Sequence, residues 1–261
     1  MKTSFKTLAA TLACLGLASF AHAQSTSSTT WEYDFTGSSA TALGGLSTGL
    51  ASDGSAALTW TASANFKADG STVDGGGSAW LAYDFQDGFT YTLSVDVDSR
   101  GLPQTGTSGN FAGISLTTDS SNTGAFGRTT PHHGVLALRT KTAAGTLPAH
   151  TFYPTPASDN FTSARTLSAN TSTATLTFIL DTTGTDWTYE VSIGGTSLTG
   201  ILTRAELEGL GLVANAAGAK FGNLSFTATQ AIPEPSACAL ILGGIFIPLA
   251  LWRARARIRH R

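Results

Sequence analysis

Carboxylate pairs are the first residues in this chain whose spacing could support chemistry. Glu32 and Asp34 form its only Glu-x-Asp. Alternate positions on a strand share a face, and a retaining glycoside hydrolase needs two such carboxyl groups about 5 Å apart. Glu206 and Glu208 are also two residues apart, but Thr203 and Glu206 have the spacing of a helical capping box, which would turn the two glutamates to different sides. The sequence therefore predicts no catalytic residue and no enzyme.

Two further clusters have the side-chain types of metal ligands. Asp96 and Asp98 share a strand face and could help to hold Ca²⁺, although Arg100 stands where a third oxygen ligand would be needed. His132 and His133 are adjacent, and neighbouring histidines ligate one metal poorly, so we expect them in an exposed loop. We predict no metal site and no cofactor, and Ca²⁺ is the alternative.

Tryptophans on the surface are the remaining candidates for binding. Sugar rings stack on exposed aromatic side chains, and Trp60 and Trp80 are the candidate ligand-binding residues. Trp187 occupies the inward register of its strand and is expected in the core. No Ser–His–Asp set can be chosen, because serine is abundant and its partners are not.

Composition limits the classes of protein. Residues 24–232 contain eight basic and sixteen acidic residues, and this net charge of −8 argues against a nucleic-acid partner. Both cysteines, Cys14 and Cys238, lie in apolar end segments, which excludes a disulfide scaffold or cysteine chemistry between them.

Short alternating segments separated by glycine-rich turns predict a fold made of strands. In residues 89–97 apolar side chains alternate with Thr, Ser and Asp, and residues 187–193 repeat the pattern before the turn Gly194-Gly195. About ten to twelve strands in one domain favour two packed antiparallel sheets or a barrel over a parallel α/β arrangement. The other candidate strands are 31–35, 56–62, 78–85, 111–117, 134–140, 174–180, 210–214 and 221–229. Residues 24–30 and 154–172 are expected to need no fixed structure, and 203–208 to form one helical turn.

The N-terminal end reads as a secretory signal over residues 1–23. Lys2 and Lys6 precede an apolar stretch, and Ala21-His22-Ala23 has the small-x-small form that signal peptidase accepts. The Sec machinery and signal peptidase are therefore expected partners. A lipoprotein signal at Cys14 and a retained transmembrane helix are the alternatives.

The C-terminal end has three parts. Pro233, Glu234 and Pro235 precede the apolar run 237–252, which is a short candidate transmembrane helix. Five arginines follow it and would hold the tail 253–261 in the cytoplasm, with the body outside the inner membrane. These arginines are Arg253, Arg255, Arg257, Arg259 and Arg261. A plain single-pass anchor with a proline stalk is the alternative.

This order of motifs resembles the PEP-CTERM sorting signal. The resemblance covers residues 233–261 and implies recognition by an exosortase, with Pro233, Glu234 and Pro235 as substrate residues. It also implies an exported protein that is anchored in the inner membrane before processing and later lies at the cell surface or in the extracellular matrix, near exopolysaccharide.

The middle resembles the concanavalin A/LamG-like jelly roll, an all-β sandwich of two antiparallel sheets. The segments that carry this resemblance are 79–83, 91–96, 136–139, 180–187 and 209–213. The fold implies a glycan-binding or adhesive domain, and some relatives cleave polysaccharides. The laminarinase-type pattern Glu-x-Asp-x-x-Glu is incomplete here, because the third carboxylate is missing after Asp34.

These inferences give one organisation and three hypotheses about function. A signal peptide (1–23), a flexible linker (24–30), a β-sandwich (31–229) and a sorting segment (230–261) follow one another. Glycan binding by the sandwich is the leading hypothesis. An adhesive or structural matrix protein without a small ligand, and a polysaccharide hydrolase or lyase, are the alternatives.

Overall fold

The computed structural model describes residues 26–106, 109–124, 132–154 and 164–231. Within these ranges the chain forms thirteen strands and no helix. The strands are β1 (Thr26–Tyr33), β2 (Trp60–Ala62), β3 (Gly77–Ala82), β4 (Phe89–Asp98), β5 (Phe111–Thr117), β6 (His132–Arg139), β7 (His150–Tyr153), β8 (Arg165–Leu167), β9 (Thr173–Asp181), β10 (Trp187–Ile193), β11 (Thr196–Leu202), β12 (Gly209–Ala214) and β13 (Lys220–Ala231).

The strands form two sheets. One has six strands in the order β1-β13-β4-β9-β10-β11, and the other has seven in the order β2-β3-β12-β5-β6-β7-β8. The strand registers along both sheets are antiparallel, as between β4 and β9 and between β5 and β12. The predicted all-β fold with two antiparallel sheets is confirmed, whereas the finer assignment to a jelly roll stays a prediction.

The six-stranded sheet has one buried and one solvent-facing side. Along β4 and β10 every second side chain is buried, including Leu93, Val95 and Val191, while the threonines between them face outward. The two-residue turn Gly194-Gly195 joins β10 to β11, and both glycines have positive φ (54° and 83°), as a type I′ hairpin requires. The predicted hairpin and the inward register of Trp187 are confirmed.

The seven-stranded sheet is buried on both sides, as the continuous burial of β5, β6 and β12 shows. A bulge interrupts the β5–β6 register between Ile114 and Leu116. Gly134 lies in this bulge with φ 66°, a backbone conformation that glycine adopts most easily. The extra residue lets both His133 and Leu136 face the core.

Three expectations about the loops are wrong, and one strand was not predicted. Residues 26–30 of the predicted linker belong to β1, which lies beside β13 in the six-stranded sheet. Across this pair the hydroxyl group of Ser28 contacts that of Thr229, and the hydroxyl group of Thr30 contacts that of Thr227. The predicted loop 154–172 contains β8. The predicted helical turn at 203–208 is irregular, and β7 was not predicted at all.

The compact unit Ser28–Gln230 contains almost all the described residues and their core. The other unit, Met1–Ser27 with Ala231–Arg261, falls almost wholly outside them. In the part of the chain that the structure describes, no helix has the length and apolarity to cross a membrane. The predicted signal peptide and the predicted helix 237–252 lie outside that part.

Candidate functional site

Two loops and the first residue of β10 form a groove of about 800 Å³ at one end of the sandwich. The loops are the β3–β4 loop (83–88) and the β11–β12 loop (203–208), and Trp187 begins β10 directly after the β9–β10 loop (182–186). We call it the Trp187 groove. Its lining residues are Asp84, Phe85, Asp87, Trp187, Arg204, Ala205, Glu206, Leu207 and Glu208.

Hydrogen bonds to strand residues fix the loops of the groove. The buried Thr182 hydroxyl lies 2.8 Å from the Gln86 carbonyl oxygen and accepts the Phe89 N–H at 3.1 Å. The Tyr91 hydroxyl accepts the Gln86 N–H at 2.8 Å. On the other side, His133 lies with its Nε2 2.9 Å from the carbonyl oxygen of Thr203, at the base of the β11–β12 loop. The walls of the groove are therefore tied to the sheets.

Asp87 is the central polar group of the groove. Its Oδ1 accepts the Trp187 Nε1–H at 3.0 Å, and its Oδ2 forms an ion pair with Arg204 at 2.5 Å. The hydrogen bond from Trp187, followed by the one from Arg204, lowers the pKa of Asp87 below its ordinary value. Asp87 is therefore a carboxylate at neutral pH and a poor proton donor.

The Arg204 guanidinium covers the indole ring of Trp187. Its Cζ lies 5.3 Å from the ring centroid, a cation–π contact. The ring is only 5% exposed, although it lies at the end of a strand beside an open groove. The Arg204 side chain that covers the ring is itself 52% exposed.

The rest of the groove combines an apolar floor with a polar rim. Leu207 is buried and Phe85 and Ala205 are half-buried, while Asp84, Glu206 and Glu208 are exposed. Such a surface can contact the C–H face of a sugar ring, and its carboxylates can accept hydrogen bonds from the sugar's hydroxyl groups. Glu206 and Glu208 both line this groove. The sequence analysis did not predict that these two residues would lie at a binding surface.

The structure places the two predicted ligand-binding tryptophans in the interior, so that prediction is wrong. Trp60 is 1% exposed and packs against Tyr33. Trp80 is 0% exposed because it lies under residues 122–124, and its Nε1–H donates to the Asn122 carbonyl at 2.8 Å. Neither ring offers a face to a sugar.

The two adjacent histidines are also buried, which contradicts the expected exposed loop. His132 lies against the Trp80 ring on the outer side of the seven-stranded sheet, while His133 faces the core beside Thr203. Because the two imidazole rings point to opposite sides of the sheet, they cannot bind the same metal ion. No cluster of three His, Cys, Asp or Glu side chains suited to a metal occurs among the described residues.

Ser78 and His132 form a serine–histidine contact of 3.2 Å. The Ser78 hydroxyl donates its proton to the Gly124 carbonyl at 2.8 Å, so it accepts from His132 Nε2. A serine nucleophile would need the reverse polarity. This contact is therefore structural.

The other carboxylates of the sequence analysis lie elsewhere. Asp98 pairs with Arg100 at 2.7 Å, and Asp96 accepts the Asn223 amide at 2.7 Å. Glu32 and Asp34 line a separate open groove at the β1 edge. The cleavage residues Ala21 and Ala23, the sorting residues 233–235 and the arginine tail lie outside the described residues.

Comparisons with known proteins give likenesses of shape alone. No protein-family model matches this chain, and no curated protein matches its sequence. A basic winged bean lectin solved with Tn-antigen is 11% identical with a TM-score of 0.46, over 78% of this chain and 98% of the lectin. An endo-1,3-beta-glucanase from Streptomyces sioyaensis is 12% identical with a TM-score of 0.44, over 80% and 98%.

The carbohydrate recognition domain of Emp46p, solved in its metal-free form, is similar at the same level. It is 14% identical with a TM-score of 0.44, over 65% of this chain and 87% of that domain. TM-scores below 0.5 carry no conclusion about what this chain binds, so its function has to be argued from its own residues.

Proposed function

We propose that this chain is an exported, non-catalytic glycan-binding protein of the cell surface or extracellular matrix, and that its sandwich binds a sugar in the Trp187 groove. One observation carries the proposal: beside an open groove, a tryptophan ring donates a hydrogen bond to a carboxylate and is covered by an exposed guanidinium. Ring stacking and hydrogen bonds to charged groups are two interactions that bind a polyhydroxylated ring.

Binding fits this groove better than catalysis. A general acid must carry a proton near neutral pH, but the pKa of Asp87 is lowered by its hydrogen bonds from Trp187 and Arg204. Each oxygen of Asp87 already accepts one hydrogen bond and can accept a second one from a ligand. The groove therefore supplies fixed acceptors and a stacking surface.

The position of the folded body supports the proposed route of export. The compact unit begins at Ser28, shortly after the predicted cleavage at Ala23, and ends at Gln230, just before Pro233. Removal of 1–23 by signal peptidase would leave β1 whole, and cleavage by an exosortase at Pro233–Pro235 would leave β13 whole. We propose that both ends are processed in this way.

Oligosaccharide binding to the body, residues 24–232, tests the groove. After a glycan array selects a ligand, calorimetry should show that Asp87→Asn weakens binding about tenfold to a hundredfold, since a hydrogen bond to a charged group contributes roughly 1.5–3 kcal/mol. Asp53→Asn is the matched control, because Asp53 is also exposed and hydrogen-bonded but lies outside the groove. Equal affinity in both variants, or no binding to any glycan, would refute the proposal.

A further inference from the structure

The outer face of the six-stranded sheet is covered by hydroxyl groups. We call it the hydroxyl face. On all six strands the side chains between the buried positions are mostly Ser or Thr. They are Ser28, Thr30, Thr90, Thr92, Ser94, Thr173, Thr175, Thr177, Thr188, Ser192, Ser197, Thr199, Ser225, Thr227 and Thr229.

Register places these hydroxyls side by side across the strands. Ser94 on β4 is level with Thr177 on β9 and Ser225 on β13, and Thr177 is level with Ser192 on β10. Neighbouring strands lie about 4.8 Å apart, and alternate residues along one strand about 6.7 Å apart. The result is a broad grid of groups that can both donate and accept hydrogen bonds.

The charges and apolar groups of this face limit what can lie on it. Glu190, Asp181 and Asp96 add negative charge at several points, while Lys220 is at one end. An anionic polymer or nucleic acid would be repelled. Among the described residues of this face, only Ile179 and Ile201 have large apolar side chains, too few for the apolar centre of a protein interface. A neutral, hydroxyl-rich polymer is the complementary occupant.

Two shallow depressions lie at opposite ends of the hydroxyl face. One, of about 440 Å³, lies around Asp96, Thr175 and Asn223 beside the bulge of β13. The other, of about 490 Å³, lies around Ile179 and Glu190 toward β11. β9 connects them, because Thr175 lines the first, Ile179 lines the second and Thr177 lies between.

Polar side chains shape the first depression. Asp96 accepts the Thr175 hydroxyl at 2.5 Å on one oxygen and the Asn223 amide at 2.7 Å on the other. Asn223 has a positive φ of 46° where the register of β13 shifts. The strand therefore bends beside a fixed carboxylate, and Gly222, which has no side chain, lies beside Asp96, where an added Cβ would be 3.9 Å from the Asp96 Cβ.

We propose that the hydroxyl face binds a neutral polysaccharide chain, which lies along β9 from the Asp96 depression to the Ile179 depression. This surface is separate from the Trp187 groove, and the inference extends the proposed glycan binding from a single sugar to a polymer. Each hydrogen bond adds only about 0.5–1.5 kcal/mol, so a polymer gains affinity by making many of them at once.

Affinity electrophoresis of the body, residues 24–232, tests the polymer surface. The gels contain mixed-linkage β-glucan, xyloglucan, galactomannan or dextran, with alginate as the anionic polymer. We expect at least one neutral polymer to retard the wild-type protein and alginate to have no effect. Thr177→Lys places a long charged side chain between the depressions and should weaken retardation about tenfold, equivalent to ~1.4 kcal/mol.

Thr227→Lys is the matched control, because Thr227 is a half-buried threonine on the same face but two strands from β9. It should leave retardation close to that of the wild type. Thr177→Val keeps the branched shape without the hydroxyl, and serves if the lysine variant fails to fold. Equal losses at Thr177 and Thr227, or no retardation by any neutral polymer, would overturn the proposal.

The Asp87→Asn variant separates this inference from the proposed function. If the hydroxyl face binds polymer, Asp87→Asn retains retardation even where it loses oligosaccharide binding. If Asp87→Asn abolishes retardation by every polymer, the groove alone binds glycan and the inference about the face is wrong. If Asp87→Asn binds oligosaccharides normally while Thr177→Lys loses the polymer, the groove proposal fails and the face proposal stands.

Discussion

Acidification from about pH 8 to about pH 5 should destabilise the body through its buried histidines. Residues 24–232 contain three histidines, and all three are at most 1% exposed. Burial lowers the pKa of His132 from 6.5 to about 4, and it also lowers the pKa values of His133 and His150. At a pH between about 4 and 6.5, the buried imidazole of His132 stays neutral in the folded chain and becomes protonated when the chain unfolds.

The direction of this change in stability follows from the number of protons bound by the folded and the unfolded chain. Between pH 6.5 and about 4 the unfolded state binds more protons at His132 than the folded state, so stability falls as the pH falls through this window. The two pKa values give His132 alone a loss of about 2 kcal/mol at pH 5 relative to pH 8. His133 and His150 add losses of the same sign.

Carboxylates change the free energy of unfolding mainly at lower pH than the histidines do. Hydrogen bonds, first from Thr29 and then from Ser55, lower the pKa of Asp53 from 3.8 to about 2. The stability that Asp53 contributes is fully present above its unfolded pKa and is lost as the pH falls toward its folded value. A window that ends near pH 5 therefore reports mostly on histidines.

Urea unfolding of the body at several pH values measures this effect. The free energy of unfolding should decrease from pH 8 to pH 5, and His132→Gln should remove about 2 kcal/mol of that decrease. His133→Gln should also flatten the profile while keeping a side-chain donor for the Thr203 carbonyl. A wild-type profile that is level over this range, or an unchanged slope in His132→Gln, would refute the reasoning.

Three further predictions concern packing and processing. Gly134→Ala should cost at least about 1–2 kcal/mol in urea unfolding, because a Cβ there meets the Phe178 ring at 3.0 Å with φ at +66°, and it should cost more than Gly45→Ala, where nothing lies within 4 Å. Trp80→Ala should destabilise the body by about 3–5 kcal/mol in the same assay while leaving oligosaccharide affinity unchanged, since its ring is in the interior. Mass spectrometry of the native protein should find neither residues 1–23 nor the arginine tail, and a Pro235→Ala variant should retain the tail; an intact arginine tail in the native protein would argue for simple anchoring.

The strands could be predicted from the sequence because alternation reports directly which side chains share a face. Residues 89–97 and 187–193 are strands with the predicted inward residues. β8 was missed because three residues are too short to show a period. His133 and Leu136 both face inward only because of the bulge at Gly134, which an ideal alternating register does not anticipate.

The groove could not be predicted, because its contacts join distant parts of the chain. Asp87 lies 100 residues from Trp187 and 117 from Arg204. Taken alone, Asp87 indicates a turn, Trp187 a core position and Arg204 a solvated charge. Their meeting depends on the loops β3–β4, β9–β10 and β11–β12 reaching the same end of the sandwich, which is a property of strand order.

Because the seven-stranded sheet is buried on both sides, it has little surface that a polysaccharide could contact. Trp80 faces away from the core, but the alternation of side chains along β3 does not tell whether another segment covers that side. Residues 122–124 do so, since Ser78 and Trp80 both donate to their carbonyl oxygens. Ser115, Ala137 and Val213 on the same side are also at most 1% exposed. The proposed binding therefore lies at the end loops and on the six-stranded sheet, two surfaces that have open depressions and many hydrogen-bonding groups. A groove that holds one ring and a face that holds a chain would then act on the same polymer, and binding at one would raise the effective concentration at the other.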